Sequence, residues 1–312
     1  RTGTVMTWLL FVEQILNGIQ FGVFLFLVSA GLTLVLGIMN VVNLAHGSLY
    51  MLGAYISATF LTWTDNFLLA IVLMVPVILI IGILIELIVL RTMYDRDHMD
   101  QVLATFGLIL FFNQGVIIVW GPDSQGMNIP AFLEGSIDII PGVPYPIFRV
   151  AIIGAGLAMA TFLFLLITRT KIGMLIRAGA SNGQMVRALG VNIRLLFTVV
   201  FGLGAILAGF AGLMSGPISS VESGMGEDML ILAFVVIVIG GIGSIRGAVI
   251  ASVLIGIVEM VGRSILPFLM KEYISEDAAQ TAGPAVASML MYILMALVLF
   301  LKPQGLFPAK TG

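Results

Sequence analysis

The run Gly31-Leu-Thr-Leu-Val-Leu-Gly-Ile-Met-Asn-Val-Val-Asn-Leu-Ala-His-Gly-Ser-Leu-Tyr-Met-Leu-Gly-Ala-Tyr55 decides how this chain folds. Both ends are apolar, yet the middle holds Asn40, Asn43, His46 and Ser48. An unpaired amide or imidazole in apolar surroundings costs several kcal/mol. Written on a helix, Asn43, His46, Tyr50 and Gly53 fall at 3-4-3 spacing and share one stripe. That stripe must face protein or water, not lipid. Asn40 and Ser48 lie off it, placed to bond backbone freed where the helix breaks. Two readings follow. Each residue alone reads as an internal tie between helices; the stripe as a whole reads as the wall of a translocation path for a polar solute.

The rest of the sequence sets that run in a membrane. Of 312 residues, 60% are apolar and only 10% charged, with a net charge of −2. Soluble domains carry roughly 25% charged residues, and mean hydropathy here is +1.16. Too few polar side chains exist to cover a water-facing surface. A soluble enzyme, a nucleic-acid binder and a disordered regulator are therefore excluded. The pI near 5.7 gives no basic field for nucleic acid. With no cysteine there is no disulfide framework, thiolate site or cysteine nucleophile.

Crossing about 30 Å of hydrocarbon takes roughly 20 helical residues. Nine stretches qualify: 9–36, 41–62, 67–90, 101–120, 147–168, 195–215, 229–241, 248–265 and 285–301. The first reads as a retained membrane helix, because no small-residue cleavage site follows it. Residues 229–241 are short for a full span. Residues 41–62 are polar enough to be broken or re-entrant, a backbone that survives at membrane depth only when buried in protein or lining a cavity. The expected fold is an all-α polytopic membrane protein with about 8–9 transmembrane helices, one of them broken or re-entrant, forming a single domain over residues 1–312. Small residues at four-residue spacing, Gly18/Gly22 and Ala205/Gly209 with Ala208/Gly212/Gly216, mark faces for close helix contact.

Basic residues orient the bundle. Placing loop 169–194 in the cytoplasm puts Arg91, Arg96, Arg169, Lys171, Arg177, Arg187, Arg194, Arg246, Lys302 and Lys310 inside, ten of fourteen. Arg1, Arg149, Arg263 and Lys271 fall outside, together with the acidic residues Asp65, Asp123, Glu134, Asp138, Glu222, Glu227, Asp228, Glu272, Glu276 and Asp277. The C-terminus is then cytoplasmic. The long outer loop 121–146 is expected to be a cap or short hairpin.

Four further polar features fall in or beside spans. Asn113 and Gln114 sit mid-membrane, and Glu259 lies inside the eighth stretch; intramembrane acids are functional candidates by default. Glu86 lies close to Arg91, suggesting an interfacial ion pair. Asp95–Asp100 lacks the glycine and terminal glutamate of a calcium loop, so Asp100 is expected to cap the next helix and no metal site is expected. No Gly-Lys pair exists for a phosphate-binding loop. Gly241-Ile-Gly-Ser-Ile-Arg-Gly247 reads as a tight turn between membrane helices. Any ATPase driving this protein is another chain.

In loop 169–194, Ser181 or Asn182 can cap a short helix over 184–189, and Gly190 can end it. The run 31–55 closely resembles the signature of LivH-type permeases of branched-chain amino acid ABC importers. Gly173-Met-Leu-Ile-Arg-Ala178, Ala188-Leu-Gly-Val-Asn192, Gly240-Gly-Ile-Gly-Ser-Ile-Arg-Gly-Ala248 and Pro303-Gln-Gly-Leu-Phe307 follow in family order. The resemblance implies a bacterial inner-membrane permease subunit that holds no cofactor itself. Its implied partners are a second homologous permease, two cytoplasmic ATP-binding subunits carrying ATP and magnesium, and a periplasmic solute-binding protein, with lipid around the bundle. The segment 173–192 matches the family's coupling segment, so Arg177, Ala178, Arg187, Ala188, Leu189 and Gly190 become candidate ATPase contacts. The path candidates are Asn40, Asn43, His46, Ser48, Tyr50, Asn113 and Glu259. Branched-chain amino acids are the implied solute; urea or a short amide is the alternative. A secondary transporter or channel remains a rival, with Glu259 as coupling acid and 41–62 with 229–241 as a broken pair. The outer acids Glu222, Glu227 and Asp228 are candidates to meet a binding protein.

Overall fold

A computed structural model describes residues 2–140 and 143–307. Arg1 and Lys310, assigned to opposite sides above, lie outside the described residues. The described residues form ten α-helices: α1 (Thr2–Met39), α2 (His46–Thr64), α3 (Phe67–Met93), α4 (His98–Trp120), α5 (Ile147–Arg169), α6 (Lys171–Ala188), α7 (Ile193–Ser215), α8 (Met225–Gly240), α9 (Ile245–Met270) and α10 (Glu276–Leu301). Seven are long and apolar enough to cross a membrane: α1, α3, α4, α5, α7, α9 and α10. The remaining two apolar stretches became α2 and α8. At 16 residues α8 is about 24 Å long, short of the bilayer. The fold is the expected all-α polytopic one. The loop 121–146 carries a hairpin, β1 (Ser136–Ile140) with β2 (Val143–Pro146), paired antiparallel.

The α1 helix is the buried spine, packed along α9 and α7. Its Gly18 and Gly22 lie against the α9 backbone at Gly256 and Ser252. On α7, Gly209 and Gly212 press on the α2 backbone at Gly53 and Tyr50. The small-residue faces thus do what their spacing suggests: lipid supplies no hydrophobic drive, and close backbone approach supplies dispersion contact instead.

Several boundaries differ from the sequence reading. The last helix begins at Glu276 rather than near 285, running through Pro284; the neighbouring Gly283 rests against the Pro267 ring of α9. Asp97, not Asp100, caps α4, its carboxylate accepting from the His98 amide at 3.2 Å. Asp100 instead sits inside the first turn, where a negative charge favours the helix dipole. The Glu86–Arg91 pair is present, but as part of a fuller network than an interfacial pair. A π-turn at Glu86–Leu90 accompanies it. Fully buried Glu86 accepts from Arg91 Nε and Nη2 at 3.2 Å each, from Thr198 Oγ1 at 2.8 Å, and from the Tyr94 hydroxyl. This network staples α3 to α7 at the end bearing the basic loops.

The basic loops share one end of the bundle. Val42 meets Gln101, Gly37 meets Gly243, and Thr198 meets Arg91 there. The C-terminal segment closes the same end, with the Leu306 and Phe307 amides donating to Ile239 and Gly240. Gly241 and Gly243 take positive φ, 102° and 79°, in the turn between α8 and α9, as a tight membrane turn requires. At the opposite end Arg149 bonds Asn17, and Gln125 pairs with Val221.

Two substitutions check this packing. A methyl added at Gly212 would collide with the Tyr50 carbonyl, whereas one at Gly107 meets open space. Gly212→Ala should therefore cost about 1–3 kcal/mol and lower the melting temperature of the detergent-solubilised protein, while Gly107→Ala, inside a helix and free of clashes, should not lower it. Glu86→Ala strands Arg91 and should cost about 3–5 kcal/mol in the same thermal unfolding assay.

Candidate functional site

The distinctive geometry is the break between α1 and α2. Asn40 closes α1 in the left-handed region, φ 50°, its amide donating to Leu36 at 3.2 Å. Asparagine tolerates this conformation. Residues 40–45 then run without helix, and α2 starts only at His46. Its Nε2 lies 3.1 Å from the Val28 carbonyl, eleven residues and so about 16 Å back along α1 from its end. The first apolar stretch is therefore followed by a broken span, as its polarity suggested. Val41, Asn43 and Ala45 of the freed stretch are buried, and Val42 and Leu44 partly so. Gln101, itself buried, accepts from the Val42 amide at 3.1 Å and donates to the Met93 and Arg96 carbonyls.

The helix stripe needs one correction. Asn43 precedes α2 and so is not on its face, because the chain leaves helix at Asn40 and turns at Leu44 and Ala45 before it coils. His46, Tyr50 and Gly53 do share a face, turned inward. Tyr50 donates to Ser215 at 2.7 Å, and Gly53 lies on the Gly209 backbone. Asn43 and Ser48 are also buried, and Asn40 is exposed. Both amide atoms of Asn43, and Nδ1 of His46, have no partner among the described residues.

The α8 helix starts beside α2. Gly226 and Gly47 touch backbone to backbone, so two helix N-termini meet inside the bundle. No side chain caps either. Glu227 and Asp228, read from sequence as outer-loop acids, instead occupy the first turn of α8, where the dipole favours carboxylates. Asn113 of α4 donates to Glu227, and its carbonyl accepts from Ser223 at 3.2 Å. Asp228 lines a cavity of about 320 Å³ between α1, α8, α9 and α10 that also holds Glu259. Glu259 accepts from Arg263 and, at 3.0 Å, from Ser288; its Oε2 is buried and unpartnered. Among the path candidates, His46 and Tyr50 share the buried face of α2, Asn113 reaches the first turn of α8, Glu259 lines the cavity, and Asn43 lies apart from that face. Ser215, Gln101, Arg263 and Ser288 escaped sequence reading. Ser215, Ser288 and the Gln101–Val42 bond have partners 29 to 165 residues away, whereas Arg263 lies four residues after Glu259 and could have been read as its partner.

The candidate coupling segment is α6. Thr170 caps it, and at Asn182 the backbone leaves helical geometry, φ −154°. Asn182 then caps the short last stretch through the Met185 amide at 2.9 Å. Gly190, φ 84°, ends it. Arg177, Arg187, Ala188, Leu189 and Gly190 are exposed and Ala178 partly so; Leu189 is 76% exposed. Val186 is buried, so an anchored helix carries an apolar tip.

A multi-pass bundle with a broken span, opposed helix N-termini and an exposed interfacial helix defines a membrane transport subunit. The chain belongs to the family of branched-chain amino acid transport system permease components, whose model matches residues 14–299. It is 27% identical to the high-affinity branched-chain amino acid transport system permease protein BraD of Pseudomonas aeruginosa, over 95% of each chain. It is likewise 27% identical to the corresponding protein LivH of Escherichia coli, over 96% of each. A ribose import permease protein, RbsC of Haemophilus influenzae, is 26% identical over 78% of this chain and 76% of its own. No solved structure matches.

The tie between α2 and α7 can be weighed directly. Tyr50→Phe removes one buried hydrogen bond and leaves Ser215 bonded to the Gly212 carbonyl. The expected cost is about 1 kcal/mol in thermal unfolding.

Proposed function

We propose that this chain forms half of the translocation path of a bacterial ABC importer for branched-chain amino acids, working by ATP-driven alternating access. The family match over residues 14–299 carries the reading. A second homologous permease completes the path. Two cytoplasmic subunits bind ATP and magnesium, and a periplasmic solute-binding protein delivers the solute. The protein resides in the inner membrane, with the basic-loop end and the C-terminus in the cytoplasm.

In this mechanism ATP binding closes the two ATPases, which draw the α6 segments together, and the membrane helices open outward. Hydrolysis returns them inward. The bias comes from the differential affinity of ATP for the two states. Arg177, Ala178, Arg187, Ala188, Leu189 and Gly190 meet the ATPase; the exposed Leu189 tip on an anchored helix supports this. Asn40, Asn43, His46, Ser48, Tyr50, Asn113 and Glu259 line or shape the path. The unpartnered atoms of Asn43 and His46 support polar work at the break. Urea or a short amide is the alternative solute.

Uptake of labelled leucine, with labelled urea in parallel, in cells with and without this chain tests the solute. Loss of leucine uptake alone supports the reading; loss of urea uptake alone moves the solute to the alternative. Coupling is tested separately. Proline fixes φ near −65° and cannot adopt the positive φ of Gly190. Gly190→Pro should leave the protein in the membrane but uncouple ATP hydrolysis from uptake, and normal uptake in that variant would sink the coupling role.

A further inference from the structure

The cavity beside α8 has a chemistry that goes beyond the family match. Glu259 and Ser288 lie near the midpoints of α9 and α10, with Arg263 one turn further out. Asp228 faces the same space from the first turn of α8. Charged side chains at this depth turn toward water-filled cavities or other protein, not lipid. Arg263 is 52% exposed although it pairs with Glu259. Glu259 is buried, with one carboxylate oxygen taken and the other free. The remaining wall is apolar, formed by Phe21, Leu232, Met260 and Met291.

We propose that this cavity is a transit site for a zwitterionic α-amino acid, an inference that rests on the permease reading above. The guanidinium of Arg263 takes the solute carboxylate. The Asp228 carboxylate takes its ammonium, buried Glu259 holds Arg263 in place, and the apolar wall takes an aliphatic side chain. A neutral solute such as urea or ribose brings no charge to Arg263 or Asp228, whereas a zwitterion meets both with an opposite charge. The site therefore selects amino acids over neutral solutes inside the membrane, in addition to any selection by a binding protein.

The chain has no native cysteine, so a single introduced thiol reports on the cavity. Ile231→Cys and, independently, Tyr292→Cys place thiols at exposed positions on its walls. The whole importer, in membrane vesicles, is labelled with a small charged methanethiosulfonate. Saturating leucine should slow labelling of both variants severalfold, urea and ribose should not, and Arg263→Gln should abolish the protection. Labelling unaffected by leucine, or no labelling at either position, would overturn the site and make the cluster a structural tie. Leucine uptake by the unmodified importer is measured in the same vesicles. Its absence would refute the permease reading itself, while its presence without protection refutes the cavity alone.

Discussion

Nothing in a bilayer core can hydrogen-bond an exposed amide or carbonyl, and the non-helical stretch 40–45 makes that rule govern the whole bundle. Once the chain leaves helical geometry inside the membrane, protein must wrap it on every side. The α1, α7 and α8 helices enclose the start of α2, and α4 reaches the stretch itself. Gln101 reaches in to satisfy Val42, and Asn40 turns the corner. The wrapping is close enough that side chains are excluded where α2 meets α7 and α8; Gly47, Gly53, Gly209, Gly212 and Gly226 are the consequence. The glycine faces and the break are one design.

That coupling explains what could be read in advance. Hydropathy located the spans, because length and apolarity are local. The broken character of 41–62 and the shortness of 229–241 were also legible, since polar residues and a missing turn show in one dimension. The cap at Asn182 and the stop at Gly190 followed from local chemistry. What failed was register and depth. Asn43 belongs to the non-helical stretch before α2 rather than to α2, and Glu227 and Asp228 belong to a helix that begins four residues earlier than its apolar run. Helix starts at membrane depth are set by a partner backbone, here Gly47 against Gly226, and no window of sequence contains both.

Two buried glutamates show why an intramembrane acid must be judged by its surroundings. Glu86 is saturated: arginine, threonine and tyrosine all donate to it, and the network closes on itself. It stores no unused capacity and holds α3 to α7. Glu259 has the same residue type and similar burial, yet one oxygen is idle and its arginine is half exposed beside a cavity. The difference is invisible in sequence, where Glu86-Arg91 and Glu259-Arg263 look alike.

The α8 helix ties these parts together. Its N-terminus touches α2 at the break and presents Glu227 to Asn113 and Asp228 to the cavity. Its C-terminus, at Gly240 and Gly241, is gripped by the α9 turn and by the final segment through Leu306 and Phe307. The glycine-rich run 240–248 and the run 303–307, separate resemblances in sequence, are thus two halves of one clamp on the end of α8. Contacts of backbone on backbone leave no side-chain slack, so close-packed elements exchange discrete arrangements rather than deform. A shift of α8 along its axis would therefore disturb the α2 start, the Asn113 contact and the cavity wall together, while a shift confined to any one of them would break a contact that has no substitute.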